Sequence, residues 1–229
     1  MIKDNLIAVK NNIETACKKR QPDMTEKIKL IAVTKNHTVE EIQQAIDADA
    51  QFIGENRIQE AMEKYPALNR NVEWHLIGHL QTNKVKQAVK IFDFIESVDS
   101  IKVAEAINKE ANKINKVQNI LVQVNLVKEQ SKNGIYLEDL PSLLQDIDTL
   151  SSIKLCGLMF IAPNVDDLEE VRPMFKKMYK LFREVQQMHF TAAEIKYLSM
   201  GMTHDYQIAI EEGANVVRVG TAIFGPRQY

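Results

Sequence analysis

The feature that most constrains the fold is a regular alternation of short apolar runs with helical patterns. The run Leu30–Val33 contains no charge and predicts a strand buried on both faces, and Lys35 follows where that strand ends. Thr38 and Glu41 have the spacing of a capping box and predict the start of a helix over residues 39–47. Because helical crossovers join strands that run in the same direction, this order predicts a parallel sheet.

The same pattern recurs along the chain. We predict about eight strands, beginning near residues 30, 52, 73, 92, 120, 153, 195 and 215, with a helical pattern after each strand except the last. This number of units favours one closed (β/α)8 TIM barrel that spans residues 1–229 as a single domain. An amphipathic helix over Ile2–Arg20, ended by residues 21–23, would cover the side that lacks a final helix. An open doubly wound sheet is the alternative, but no strand is followed by G-x-G-x-x-G.

Polar side chains stand at the ends of the predicted strands. The carboxyl ends of all strands of a parallel barrel meet at one rim, where barrel active sites lie. We therefore expect one opening of the barrel to carry Lys35, Asn56, His79, Ser97, Asn125, Ser199 and Arg218. Polar residues at strand ends are common in any α/β fold, so only the occurrence of all seven together indicates a functional site at this opening.

Two glycine-containing turns follow the last two strands, in the segments SMGMTHD and RVGTAIFG. Gly201 would let the backbone approach a ligand closely, while Thr203 and Asp205 lie near the start of the next helix. Gly220 and Thr221 can offer amides and a hydroxyl. Barrels often bind phosphate between these two loops, which makes a phosphate site one interpretation. The alternative is that both glycines serve ordinary turns and Thr203 is a helix N-cap.

A lysine that faces a phosphate-bearing ligand suggests imine formation with a carbonyl, since a neutral amine is a nucleophile. At a pKa of about 10.4, roughly one lysine in 2,500 is neutral at pH 7, so we expect the site to lower the pKa of Lys35. A cation such as Arg218 across a partly dry cavity would act in that direction. The alternative is that Lys35 is a solvated side chain of a loop.

The composition excludes several classes of function. The formal net charge of −2 gives no electrostatic argument for nucleic acid or an anionic membrane. Nothing resembles a signal peptide or a membrane span, so we expect a cytoplasmic protein. Cys156 lies in an apolar run and is expected to be a buried thiol. His75 and His79 are four apart, but His75 lies inside a predicted strand, and four-residue spacing brings metal ligands together only on a helix, so we expect no metal site.

The chain also resembles a known family, the pyridoxal 5′-phosphate (PLP) homeostasis proteins, which are similar to the N-terminal domain of alanine racemase. The segments that carry the resemblance stand in the family's order and cover nearly the whole chain: AVTKNH, IGENRIQEA, WHLIGHLQTNKVK, SVDS, VQVNLVKEQSKNG, GLMFIAP, LSMGMTHDYQIAI and VVRVGTAIFG. The resemblance implies a PLP-binding barrel without a second domain. It also implies a role in intracellular PLP (vitamin B6) homeostasis.

The resemblance implies roles for particular residues. Lys35 would hold PLP as an imine (Schiff base), and Arg218 would face the pyridine nitrogen. Asn56 and His79 would line the surroundings of the ring. The phosphate site and its loop would be formed by Ser199, Met200, Gly201, Met202, Thr203, Gly220 and Thr221. The chain departs from the family at Thr203, where serine is usual, and at Val127, where a small polar residue is common.

An arginine opposite the pyridine nitrogen stays protonated and leaves that nitrogen neutral, which makes the ring a weaker electron sink. Related racemases add a tyrosine base from a second β-domain and another subunit, and this chain ends at Tyr229 with no length for such a domain. We therefore expect a monomeric, non-enzymatic carrier or buffer of PLP, with apo forms of PLP-dependent enzymes as recipients. The alternatives are a low-activity PLP-dependent racemase and a cofactor-free, lysine-dependent sugar-phosphate enzyme.

Overall fold

A computed structural model describes residues 1–20, 24–68, 71–127 and 133–226. Within these ranges the strands are β1 Lys29–Val33, β2 Phe52–Glu55, β3 Glu73–Leu76, β4 Phe94–Val98, β5 Gln118–Asn125, β6 Ile135–Tyr136, β7 Ile153–Phe160, β8 Tyr197–Ser199 and β9 Val216–Val219. All of their pairings are parallel, as the alternating pattern predicts.

Most helices of the same ranges lie between these strands, while one precedes the first strand and one follows the last. They are α1 Ile2–Cys17, α2 Val39–Asp47, α3 Ile58–Lys64, α4 Val85–Ile91, α5 Ile101–Asn112, α6 Leu140–Asp148, α7 Arg172–Gln186, α8 Tyr206–Glu211 and α9 Thr221–Phe224. Short 3-10 turns precede α4 and α7. Within the described chain, no helix is both long enough and apolar enough to cross a membrane.

The sheet closes into a barrel. Its strands follow the order β4-β3-β2-β1-β9-β8-β7-β5, and β5 pairs back with β4. The pair β6 and β5 adds two residues beside the carboxyl end of β5. The predicted (β/α)8 barrel is confirmed, and the open doubly wound alternative is wrong because the closing pair of strands leaves no edge. Every strand of the described residues belongs to this sheet, so no second β-domain lies among them.

The first helix, α1, packs against the last two helices of the described chain. The buried side chains of α1 recur every three or four residues at Leu6, Val9 and Ile13, and this stripe packs against the last two helices, α8 and α9. Asn5 donates a hydrogen bond of 2.9 Å to the carbonyl of Ile223. The prediction that no helix follows the last strand is wrong, because α9 forms one short turn there.

Local signals placed several helix starts correctly. Thr38 and Glu41 form the predicted capping box, and α2 has the predicted bounds. Phe92, however, ends α4 instead of opening β4, because its amide completes the bond to the carbonyl of Ala88. The two-residue β6 was not predicted, and α6 begins at Leu140, three residues later than the pattern indicated. The predictions for residues 21–23 and for most of the loop 128–134 lie outside the described residues.

Candidate functional site

Residues from opposite sides of the barrel meet in a cavity of about 220 Å³ at the carboxyl ends of the strands. Seven residues predicted from the sequence line it: Lys35, Asn56, Met202, Thr203, Arg218, Gly220 and Thr221. Four further lining residues, Val33, Ile77, Ile161 and His204, were not predicted. Closure of the sheet is what brings Lys35 after β1 and Arg218 of β9 to one opening, since β1 and β9 are neighbouring strands.

The turn that carries Lys35 is held from below by a buried ionic cluster. Thr34 is fully buried and donates a hydrogen bond of 2.6 Å to Glu55 Oε1. The Nζ atom of Lys64, on α3, donates to the Thr34 carbonyl and to Glu55 Oε1, both at 2.8 Å. Glu60 Oε2 accepts from the backbone amide of Asn36 at 2.9 Å. The residues on either side of Lys35 are therefore both anchored to this cluster.

Two further properties mark this turn as specialised. Asn36 has a φ of 62°, a left-handed conformation that few residues other than glycine adopt, although asparagine is among them. Burial raises the pKa of Glu55, while the hydrogen bond and charge of Lys64 act against this increase. The turn is thus held in an uncommon backbone geometry, and Lys35 emerges at its apex, half-buried beside the cavity.

Arg218 lies on β9, next to the strand that leads to Lys35, and it lines the cavity although it is almost fully buried. Its Nη1 atom donates to Ser199 Oγ at 2.5 Å, and Nη2 donates to the carbonyl of Phe160 at 2.9 Å. Burial lowers the pKa of Arg218, and the nearby charges of Glu96 and Asp205 oppose that shift. The guanidinium is therefore anchored through both terminal nitrogens while it lines the cavity.

The turns after β8 and β9 contact each other at the cavity. The Gly220 amide donates to Thr203 Oγ1 at 3.2 Å, which leaves the Thr203 hydroxyl proton available to a ligand. Thr221 is the first residue of α9, so its amide has no acceptor one turn earlier in that helix. Thr203 is not an N-cap, because Asp205 precedes α8 and its side chain accepts from the Met202 amide at 2.6 Å.

Gly201 does not line the cavity and packs closely against α8. Its φ is +94°, and a Cβ atom there would lie 2.6 Å from the Ala209 Cβ and 2.9 Å from the Tyr206 Cα. Both contacts are with α8, so the glycine lets the turn approach its own helix and does not open space for a ligand. Met200 is fully buried and packs in the main apolar core. Neither residue is among those that line the cavity.

His79 and Ser199 are also outside the lining of this cavity. The His79 side chain is exposed, with its Nδ1 atom 3.8 Å from Asp99 Oδ2, and it lines a neighbouring recess of about 520 Å³ that shares Asn56 with the first cavity. Ser199 lies under the cavity and holds Arg218 from below. The structure therefore places His79 beside the cavity and gives Ser199 a contact with an arginine instead of an open rim position.

The remaining strand-end residues, Ser97 and Asn125, do not line the cavity. Ser97 is buried and donates to the Gly78 carbonyl at 2.6 Å, and Asn125 is buried at the end of β5. His75 lies within the barrel, stacked on Phe94 with ring centroids 4.9 Å apart, as expected for a packed residue. Across the described ranges, no group of three or more histidine, cysteine or acidic side chains is arranged to hold a metal ion.

A closed (β/α)8 barrel with a lysine after its first strand, an arginine on its last strand and a paired glycine–threonine turn beside them defines the class of the alanine racemase N-terminal domain. The sequence pattern of the family described as "Alanine racemase, N-terminal domain" matches residues 5–228. This match covers the barrel from the first helix to the last. It agrees with the resemblance seen in the sequence motifs.

Curated relatives narrow this class. A pyridoxal phosphate homeostasis protein from Aquifex aeolicus is 40% identical over 227 residues, which cover 99% of this chain and 98% of the relative. A protein of the same name from Escherichia coli (strain K12) is 33% identical over 234 residues, covering 100% of this chain and 97% of the relative. The chain belongs to the family of pyridoxal phosphate homeostasis proteins.

Solved structures agree with this assignment. The protein PipY of Synechococcus elongatus, solved without PLP and with PLP bound, is 34% identical and superposes with TM-scores of 0.87 and 0.85, covering 98% of this chain and 100% of PipY. Alanine racemase from Clostridium difficile 630 is 17% identical, with a TM-score of 0.71. That likeness covers 96% of this chain and 56% of the racemase, and it shows the fold alone.

The apolar lining residues of the cavity and His204 were not predicted from the sequence. Val33, Ile77 and Ile161 are ordinary strand residues by pattern, and only closure of the barrel turns them toward a common space. His204 lies inside the SMGMTHD segment that drew attention to this loop. The sequence therefore did contain an indication for His204, because a histidine in a loop beside a predicted phosphate site is a candidate site residue.

Proposed function

We propose that this protein binds PLP in the cavity between Lys35 and Arg218, with the Lys35 Nζ atom forming a reversible imine to the cofactor's aldehyde. The observation that carries the proposal is that one cavity is lined by this lysine, this arginine and the Thr203–Gly220 turn. Membership of the pyridoxal phosphate homeostasis family supports it, as does the relative PipY, whose structure has PLP bound. PLP supplies an aldehyde, a hydroxylated pyridine ring and a phosphate.

The residues of the cavity match these three chemical parts. An amine at one side suits the aldehyde, and the side chains of Val33, Ile77 and Ile161 offer apolar surface for a ring. Ligand sites for larger, drug-sized molecules measure about 300–1,000 Å³, so a cavity of about 220 Å³ suits a single substituted ring. Its lining therefore fits PLP in both size and chemistry.

The phosphate would lie at the turns after β8 and β9. The Thr203 hydroxyl and the backbone amide of Thr221 are donors at this position, and neither is a mobile charged side chain. Donors that are fixed by the backbone lose little conformational freedom when an anion binds. In this proposal, these turns hold the phosphate and so fix the distance from the phosphate to Lys35.

Arg218 has a chemical consequence for what the site can do. Arginine stays protonated in proteins, so a guanidinium beside the pyridine nitrogen donates to that nitrogen and keeps it neutral. A neutral ring withdraws electrons more weakly than a pyridinium and stabilises carbanions less. Both features favour storage of the cofactor over broad amino-acid chemistry.

We propose that the protein is a carrier or buffer of PLP and not primarily an enzyme. Its relatives are named homeostasis proteins, and among the described residues no tyrosine lines the cavity where a second base would be needed. Tyr206, the first residue of α8, is buried and is not among the residues that line the cavity. Apo forms of PLP-dependent enzymes are the recipients that this role implies, and a monomer suffices for it.

The test is absorbance after PLP is added to the purified protein. The wild type is expected to turn yellow, to bleach with borohydride and to retain the reduced cofactor on the peptide that contains Lys35. Lys35→Ala should stay colourless, while Lys86→Ala, which removes an exposed lysine of α4, should behave as the wild type. A colourless wild type, or a yellow Lys35→Ala variant with the adduct elsewhere, would contradict the proposal.

A second function, slow racemisation or a related PLP-dependent reaction of amino acids, has one observation in its favour. His204 is exposed and lines the cavity, so its imidazole places ring nitrogens that can donate or accept a hydrogen bond within the site. Exchange of the α-proton of alanine and other amino acids in deuterium oxide tests this reading. Exchange at an enzymatic rate that is lost in His204→Gln would establish an enzyme and contradict the carrier role.

The carrier role itself needs a transfer experiment. Loaded protein is mixed with the apo form of a PLP-dependent enzyme, and recovery of that enzyme's activity is followed with and without a scavenger of free PLP. Recovery that survives the scavenger supports direct transfer. Recovery that vanishes with the scavenger indicates that the protein buffers PLP without direct transfer.

Failure of the wild type to bind PLP, with activity on a sugar phosphate instead, would support a cofactor-free enzyme.

A further inference from the structure

A continuous line of hydrogen-bonded side chains runs through the barrel interior and ends at Arg218. Ser199 Oγ accepts from Arg218 Nη1 at 2.5 Å and donates to Glu96 Oε2 at 2.6 Å. Glu96 Oε1 lies 2.6 Å from His75 Nδ1, and His75 Nε2 lies 2.9 Å from Glu73 Oε1. We call the set Lys29, Glu73, His75, Glu96, Ser199 and Arg218 the interior column.

The lower end of the interior column reaches the other opening of the barrel. Lys29 Nζ donates to Glu73 Oε1 at 2.9 Å and lies over the rings of Phe52, Phe94 and Tyr197. The side chains of Lys29 and Glu73 are 20% and 30% exposed, so this end is in contact with solvent. Of the whole column, only Arg218 lines the cavity described above.

The chemistry of the interior column dictates alternating charge. His75 lies between two carboxylates and can satisfy both only if it donates from both ring nitrogens, which requires an imidazolium. Although burial lowers the pKa of His75, the bonds from Glu73 and Glu96 outweigh it and raise the pKa overall. The charges of the side chains then alternate along the column. Lys29 and His75 are positive, Glu73 and Glu96 are negative, and the column ends at the positive Arg218.

Stability alone does not explain this arrangement. The interiors of (β/α)8 barrels are usually filled by layers of branched apolar side chains. Replacing a buried ion pair by apolar residues is often neutral or stabilising, because taking charges out of water costs several kcal/mol for each ion. Yet Glu96 and Ser199 are fully buried, and His75 and Arg218 are 2% and 3% exposed. A role at the cavity would account for groups of this kind.

We propose that Glu96, held in place by His75, is a positioning residue that acts through Ser199 to fix and charge-balance the Arg218 guanidinium facing the cavity. This inference rests on the proposed function, because it assigns to the interior column the task of presenting Arg218 to the ring nitrogen of PLP. Asp205 also faces Arg218 electrostatically, but the direct hydrogen-bonded path leads to Glu96. A fixed guanidinium binds a flat ring better, since its orientation is already ordered.

The first measurement does not involve the cofactor. Nitrogen-resolved NMR of the apo protein follows the guanidinium protons of Arg218, which we expect to be resolved and slowly exchanging in the wild type. Ser199→Ala and Glu96→Gln should broaden them or accelerate their exchange. Ser152→Ala provides a matched control, because Ser152 is a buried serine that accepts from Asn112 at 3.2 Å outside the cavity lining. Unchanged Arg218 resonances in both column variants would overturn the proposal.

The second measurement is the dissociation constant of PLP, arranged as a double-mutant cycle. Ser199→Ala and Glu96→Gln should each weaken binding by about tenfold, while Ser152→Ala stays within about twofold. In an Arg218→Lys background the Glu96→Gln change should have almost no further effect, because it acts through the arginine. Additive effects would show that Glu96 has only a structural role. If Glu96→Gln does not fold, Ser199→Ala carries the same cycle.

The two proposals fail in different ways. A wild type that does not bind PLP refutes the proposed function, and the NMR measurement alone then decides whether the interior column orders Arg218. A wild type that binds PLP with unchanged affinity in both folded column variants refutes the positioning role and leaves PLP binding intact. Circular dichroism and thermal melting of each variant establish that it is folded before either conclusion is drawn.

Discussion

The position of Lys35 depends on the hydrogen bonds of the residues on either side of it. Lys35 lines the cavity, and the turn that carries it is fixed through Thr34 and Asn36 by groups on β2 and α3. Lys64 is the cation of that cluster and is only 8% exposed. The proposed imine requires a fixed approach direction of the lysine, and in that proposal the anchored turn supplies one.

Lys64→Met is expected to destabilise the fold by about 3 kcal/mol in the free energy of unfolding, because Glu55 would lose its buried countercharge. Chemical denaturation measures this. The double variant Lys64→Met/Glu55→Gln should lose less than the sum of the two single changes, since it removes both charges. Lys86→Met, an exposed exchange of the same kind, should stay within about 0.5 kcal/mol. An equal loss in both methionine variants would contradict the anchoring role.

Thr203 offers a second prediction at the residue scale. Thr203→Val keeps the shape but removes the oxygen that accepts from the Gly220 amide, so we expect PLP affinity to fall about five- to tenfold, or ~1 kcal/mol. Thr203→Ser retains the hydroxyl and should bind within about twofold of the wild type. Absorbance titration decides between them. Equal weakening by valine and serine would indicate that the methyl group, and not the hydroxyl, matters.

The connection between β8 and α8 depends on the backbone conformation of Gly201. Gly201 and Gly225 both have positive φ, +94° and +91°, but an added Cβ would meet α8 at Gly201, whereas at Gly225 it would meet none of the described residues within 4 Å. A residue with a Cβ at position 201 would therefore suffer both backbone strain and a steric clash, whereas at position 225 it would suffer the strain alone. This contrast separates the two effects in one protein.

Gly201→Ala is expected to lower the free energy of unfolding by about 2–4 kcal/mol, because it adds a contact of 2.6 Å to the strain of a positive φ. Gly225→Ala should lose only the strain, about 1 kcal/mol. Urea denaturation of both variants gives the difference directly. Similar losses at the two positions would show that contact with α8 contributes nothing.

At the scale of the whole molecule, the barrel is unusual because its interior holds ionic groups as well as apolar ones. Phe94, Leu121, Cys156 and Met159 form a small apolar cluster apart from the main core, and His75 of the interior column stacks on Phe94. Burial raises the pKa of the Cys156 thiol to about 11, so this sulfur stays protonated and unreactive. The interior column therefore passes beside an apolar cluster in the barrel interior.

The interior column makes stability depend on pH in two directions. Although burial raises the pKa of Glu73, the hydrogen bonds from His75 and Lys29 outweigh it and lower the pKa from 4.5 to about 2. This stabilisation is present above pH 4.5 and is lost as the pH falls toward 2. The raised pKa of His75 stabilises fully below pH 6.5, and that contribution is lost as the pH rises through the folded-state value.

We therefore expect the contribution of these two groups to be greatest between about pH 4.5 and 6.5. Thermal melting from pH 3 to 9 tests this, with Glu73→Gln flattening the acid side and His75→Gln flattening the alkaline side. The outer ion pair of Arg172 with Glu211 serves as a control, since Glu211→Gln should leave the alkaline side unchanged. An alkaline side that stays the same in His75→Gln would contradict an imidazolium in the barrel.

The sequence by itself determined the (β/α)8 class, most helix and strand positions and the strand-end residues Lys35 and Arg218. It could do so because apolar periodicity and capping are local properties, written in residues a few positions apart. Boundaries failed where local signals compete. An apolar run assigned Phe92 to a strand, whereas its helical hydrogen bond to the carbonyl of Ala88 makes it the C-cap of α4.

Only the tertiary structure decided what fills the barrel and what lines its opening. Glu96 and Ser199 are 103 positions apart in the chain and meet because the sheet closes, so no spacing in the sequence indicates their hydrogen bond. The same holds for Gly201, whose conflict with α8 depends on how closely that helix packs. Local patterns fix which elements form, whereas contacts across the closed barrel fix which side chain each functional group touches.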